Sequence, residues 1–225
     1  MINYPALAAT LSEKLEDSGV KFTEYGYPII PSDMLLRDFP SDIEMYPISH
    51  WREAENKKKS ILCWYENDNL LAGHINKLDK WIQIFKEFYA VTGVDLSPCV
   101  NADLEQQKMA ILLSQLLTAY MATKGVRILA NFRTGGFETI NSLSGYPLGV
   151  CYSVGMLGCS KRKVLHGTEL MQAKLLNTCP KKLLIYGSAD KQLLGLMDKF
   201  AIPFVVIPDF KTRCFQAKRE VTYVK

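Results

Sequence analysis

Val126-Arg-Ile-Leu-Ala-Asn-Phe-Arg-Thr-Gly-Gly-Phe137, followed across Gly145-Tyr-Pro147 by Gly149-Val-Cys-Tyr-Ser-Val-Gly-Met-Leu-Gly-Cys-Ser-Lys-Arg-Lys163, is the stretch that decides how this chain folds. Each half is a short apolar run that breaks into a loop bearing glycines and polar or cationic side chains. That pattern marks a parallel strand handing over to its helix, at the edge where α/β sheets hold ligands.

The same strand-then-helix unit recurs on both sides of this stretch. Upstream, Ser60 to Glu66 and Val91 to Leu96 are β-prone runs. Between them Leu71, Ile75, Leu78, Ile82, Phe85 and Tyr89 recur at helical spacing. Leu104 to Lys124 predicts a long helix stopped by Gly125. Residues 137–143 predict a short helix between the two runs of the central stretch. Downstream come a helix over 163–178 that ends before Pro180, a strand Lys182 to Tyr186, a helix over 189–200 with Ser188 as its N-cap, and a strand Phe204 to Ile207.

The expected fold is therefore α/β: a mainly parallel sheet of about six strands, with right-handed crossovers and helices on both faces. An eight-unit barrel takes about 250 residues, and this chain has 225. An open sheet or an incomplete barrel fits better.

Residues 60–210 form this α/β domain. Before it, residues 1–59 read as an amphipathic helix, Tyr4 to Ser18, and an extended arm. Tyr27-Pro-Ile-Ile-Pro31, Phe39-Pro40 and Tyr46-Pro47 in the arm fix φ and remove backbone donors. After it, residues 211–225 read as a basic tail with Lys211, Arg213, Lys218, Arg219 and Lys225 against Glu220. That tail accounts for the whole formal charge of +4.

Hydrophobic content of 48% and charged content of 22% are those of a globular protein rather than a disordered one. No apolar run is long enough for a membrane span, and the N-terminus does not read as a secretory leader. Six cysteines without a C-x-x-C pair suit a reducing compartment, so the cytoplasm is the expected location.

Four short motifs in order, Gly93-Val-Asp-Leu-Ser-Pro-Cys99, Asn131-Phe-Arg133 with Gly135, Gly149-Val-Cys-Tyr-Ser-Val-Gly155 with Gly158-Cys159, and Leu184-Ile-Tyr-Gly187, span roughly residues 85–190. In them the chain resembles a domain-of-unknown-function family of bacteriophages and of Gram-positive bacteria that carry prophages. The resemblance implies a phage or mobile-element context and transfers no catalytic residues.

Parallel strands end on one edge, so residues that follow them converge: Glu66, Asp95, Ser97, Asn101, Asn131, Arg133, Ser153, Lys161, Tyr186 and Asp209. Arg133 could clamp a phosphate bidentately while Gly135 lets the backbone approach it; the same guanidinium could instead pair with Asp95 or Glu138. Gly155, Gly158, Ser160, Lys161 and Arg162 could form an anion seat at a helix start, or a tight turn with a solvated basic end. Asp95 and Asn131 are the candidate catalytic pair. Asp95, Asp209 and Glu66 could hold Mg²⁺.

Of three histidines, His50, His74 and His166, none sits in a metal or triad spacing, and His74 and His166 read as surface or packing residues on helices. Cys99 and Cys159 read as packed thiols or, with a depressed pKa, as nucleophiles.

The function expected is binding of a phosphate-bearing ligand, a nucleic acid or nucleotide, at the carboxyl edge, with metal-assisted phosphodiester or nucleotide hydrolysis as the reaction class. The alternatives are a protein that binds a host factor through its arm and tail, and an assembly protein.

Overall fold

The computed structural model describes residues 3–98, 101–156, 168–189 and 191–223, the last seven of these as backbone only. Seven strands, β1 (Glu44–Pro47), β2 (Ser60–Cys63), β3 (Ala90–Thr92), β4 (Ile128–Asn131), β5 (Cys151–Gly155), β6 (Lys182–Tyr186) and β7 (Phe204–Ile207), form one sheet in sequential order, every neighbouring pair parallel. Sequential parallel strands with right-handed crossovers place all connections on one side, and the sheet curls into a nearly closed barrel with helices around it. The incomplete barrel, of the two forms expected, is the one adopted. Its extra strand is β1, drawn from the segment read as arm. Pro47 is tolerated there because, among the described residues, β1 pairs only with β2 and has no strand on its other side.

The outer shell consists of α1 (Tyr4–Asp17), α2 (Asp68–Ile75), α3 (Leu78–Phe85), α4 (Leu104–Thr123), α5 (Thr168–Thr178), α6 (Lys191–Lys199) and α7 (Phe210–Tyr223). The single helix expected over 71–89 is two, broken at Asn76-Lys77. The basic tail is helical as α7. Among the described residues no helix is long and apolar enough to cross a membrane.

Strand alternation divides the core in two. Leu62, Trp64, Val91, Ile128, Ala130, Tyr152, Leu183 and Ile185 face outward onto the helices. Met45, Ile61, Cys63, Tyr65, Ala90, Leu129, Cys151, Leu184, Tyr186 and Ile207 form a separate interior cluster. The arm completes this inner cluster with Leu36, Phe39 and Ile43, so it plugs the amino end of the barrel.

It does so with backbone bonds. Ile128 N donates to Met34 O at 2.7 Å, Leu36 N to Ile128 O at 2.9 Å, and Cys151 N to Leu36 O at 2.8 Å, wedging residues 34–36 between the amino ends of β4 and β5. Lys182 Nζ then ties the arm down through Phe39 O at 2.6 Å and Asp38 at 3.2 Å. Among the described residues, the opposite, carboxyl end is left open.

Helix α4 sets the position of the chain at that open end. Asp103 caps it, accepting from Gln106 N at 2.8 Å, and it is buried on nearly every side. Two hydroxyls inside it reach outward: Thr118 Oγ1 accepts from Val94 N at 2.9 Å and Ser114 Oγ from Leu96 N at 3.2 Å. The segment after β3 is thereby clamped to the helix at alternate residues. Asp95, between them, faces the other way.

Candidate functional site at the carboxyl end of the barrel

Asp95 is 9% exposed overall and meets the side chain that follows β4. Asn131 Nδ2 donates to Asp95 Oδ1 at 2.8 Å and to Val94 O at 3.2 Å, while its Oδ1 faces the Tyr65 hydroxyl at 3.4 Å. Tyr65 donates to Ser153 Oγ at 2.7 Å, and Ser153 in turn to Ala130 O at 3.1 Å. Burial first, then the Asp95 charge, raise the Tyr65 phenol well above its ordinary pKa. Tyr65 is thus a neutral hydrogen-bond donor at physiological pH.

Arg133 Nε lies 3.8 Å from Asp95 Oδ1, with the arginine side chain 29% exposed and the aspartate 11%. The ion pair named as one reading of Arg133 is therefore formed, and it stands on a cavity wall. The cavity, of about 570 Å³, is lined by Tyr65, Glu66, Asp95, Ser97, Arg133, Gly155, Tyr186 and Asp209 from β2 to β7, and by Ser49, His50, Phe210 and Lys211 around β1 and α7. That is the size of a small-molecule site, at the end of the barrel where such sites occur.

The carboxylates there are not equivalent. Glu66 accepts from Ser49 N at 3.1 Å and from the Ser49 hydroxyl. Asp209 caps α7, accepting from Thr212 N at 3.1 Å and Thr212 Oγ1 at 2.7 Å. Burial would raise the Asp209 pKa, but these hydrogen bonds prevail and hold it below the usual carboxylate value. Asp209 is therefore a helix cap first. Asp95, buried and placed beside Arg133, is the cavity carboxylate paired with a cation.

Of the residues expected at the site, Asp95, Asn131, Arg133 and Gly155 come together. Gly135 does not: its amide donates to Thr139 Oγ1 at 2.8 Å, and that of Gly136 to Gln107 Oε1 at 3.2 Å, so both serve their own turn rather than a bound phosphate. Gly155 serves by lacking a side chain, since a Cβ there would lie 2.6 Å from the Tyr65 ring. Gly158, Ser160, Lys161 and Arg162 lie outside the described residues, as do Cys99, Cys159 and His166. His74 packs on α2 against Trp81, with ring centroids 4.7 Å apart.

Sequence reasoning missed Tyr65, His50, Phe210 and Lys211. Tyr65 looks like any strand aromatic, and its one signal is position, directly before Glu66 at the strand end. His50 and Phe210 follow β1 and β7, and only curvature brings them onto the cavity.

No family model, curated protein or solved structure matches this chain.

Proposed function

We propose that the carboxyl-end cavity binds a phosphate-bearing ligand, a nucleotide or the end of a nucleic-acid strand, with Arg133 as its phosphate contact. The observation that carries this reading is a guanidinium–carboxylate pair held on the wall of a nucleotide-sized cavity by a buried amide, Asn131. Arginine beside a fixed carboxylate recognises phosphate through its planar fork without drifting.

Turnover, in this reading, is hydrolysis of a phosphodiester or nucleotide. Among the described residues no three His, Cys, Asp or Glu side chains gather as a metal site. Mg²⁺ is commonly held by one or two carboxylates together with substrate phosphates, and Asp95, oriented by Asn131, suits that arrangement. The phage or mobile-element context that the resemblance of four motifs implies is part of this proposal.

Binding of the purified protein to nucleotides and to short single- and double-stranded DNA and RNA, across salt concentrations, tests the reading. Binding that survives moderate salt and is lost in Arg133→Ala supports it, because purely charge-driven contacts weaken steeply with salt. Unchanged affinity in Arg133→Ala removes the site. No binding at all would move the search to protein partners.

A further inference from the structure

The two sides of the cavity carry different groups, with Lys211 also on its wall beside Phe210. On one side stands Arg133, after β4, the strand farthest from the seam between β1 and β7. Over the seam itself stand two rings, His50 and Phe210, both partly exposed and both lining the cavity. Their centroids are 4.2 Å apart with 31° between planes.

This ledge is fixed from behind. Phe210 N donates to the Tyr186 hydroxyl at 2.9 Å. The Phe210 ring lies 6.1 Å from that of Tyr46, and the Arg213 guanidinium sits 4.7 Å from the Tyr46 centroid and 5.8 Å from that of Phe210. Arg213 also donates to Met45 O on the free edge of β1, so the ledge is anchored to β1 and, through Tyr186, to β6. Partly exposed aromatic rings held in place at a cavity wall are what a planar π-system stacks on, with little ordering left to do on binding.

We infer that the His50–Phe210 ledge is a base-stacking subsite, so that the ligand is a nucleotide lying across the barrel mouth, its base over the seam and its phosphate toward Arg133. The inference rests on the proposed phosphate contact at Arg133 for the orientation of the ligand, and adds the identity of its other half. Base–aromatic stacking is tolerant of sequence, so all four bases are accepted, and a sugar phosphate without a base forgoes the ledge.

The test is calorimetric titration of the full chain with the four nucleoside 5′-monophosphates, with ribose 5-phosphate and with adenosine, for wild type, His50→Ala, Phe210→Leu and Arg133→Ala. Thermal unfolding of each variant verifies its fold. The nucleotides should bind at least about 10-fold more tightly than ribose 5-phosphate. His50→Ala and Phe210→Leu should weaken nucleotide binding by about 5- to 150-fold and leave ribose 5-phosphate unchanged.

Ribose 5-phosphate binding as well as the nucleotides, or ledge variants that fail to separate the two, overturns the inference, as does a protein that binds neither nucleotide nor nucleoside. Adenosine binding that weakens in the ledge variants, while Arg133→Ala leaves nucleotide binding intact, would keep the ledge and remove the phosphate reading instead.

Discussion

The rings of Tyr65 and Tyr186 are stacked 5.8 Å apart with 25° between their planes, although Tyr65 ends the β2 run and Tyr186 ends β6. In a flat sheet, four strand spacings would hold those side chains roughly 19 Å apart. The contact exists only because the sheet curls until its inner face meets itself, and it forms the floor of the cavity. Gly155 makes room for it. Gly155→Ala should destabilise the protein by about 1–3 kcal/mol through overpacking against Tyr65. Combined with Tyr65→Leu, the penalty should shrink, giving a coupling in urea denaturation; strictly additive effects would mean the ring does not rest on Gly155.

Asn131 joins Asp95 to Tyr65, and both polar atoms of its amide face partners inside the barrel. Asn131→Leu leaves the Asp95 carboxylate with Arg133 and strips Val94 O of its side-chain donor. A loss of about 1–3 kcal/mol in stability results from burying groups that have lost partners. Chemical denaturation measures it, and a change within error would show that Asn131 holds nothing in place.

The seam between β1 and β7 predicts an unusual role for the basic C-terminal segment. Arg213 donates to Met45 O and covers the Tyr46 ring, so it closes part of the β1 edge that no strand covers among the described residues. Arg213→Ala should cost about 1.5–3 kcal/mol, the range for hydrogen bonds to charged groups. Asp209→Ala should cost about 0.5–2 kcal/mol as a lost helix cap. Thermal unfolding distinguishes this from a solvated tail, for which both substitutions would be silent.

Stability should also depend on pH through His74. Burial lowers its pKa below the ordinary 6.5, and its Nε2 is buried with no hydrogen-bond partner among the described residues. The unfolded chain therefore binds the proton more readily than the folded one. The contribution is fully present above about 6.5 and is lost as pH falls through the lowered folded value. His74→Leu should flatten the stability profile over that window; an unchanged slope would assign the dependence to other groups.

Six of the seven strands were legible because each is an apolar run bounded by turn residues and joined by a helical pattern, and the carboxyl-edge rule then placed Asp95, Asn131 and Arg133 together. β1 was not, because Pro47 argues against a strand unless the strand is known to be an edge. The split of α2 from α3 was hidden because both turn apolar residues inward, so the period runs on through Asn76-Lys77. Helix α7 is too polar to announce a buried contact, and Arg213 reads as surface charge until β1 is known to lie beside it. Curvature was the deepest omission. Strand order is encoded in local pattern, whereas closure depends on which interior side chains meet, and it alone assigns Tyr65, Tyr186, His50 and Phe210 to one cavity.

A crystal structure of the protein with a nucleoside monophosphate and Mg²⁺ would decide whether the barrel mouth is a nucleotide site. The expected result is density in the mouth, with phosphate within hydrogen-bond distance of Arg133 and the base against His50 and Phe210. A nucleotide bound elsewhere, such as along the outer face of α7 with the mouth empty, would contradict it.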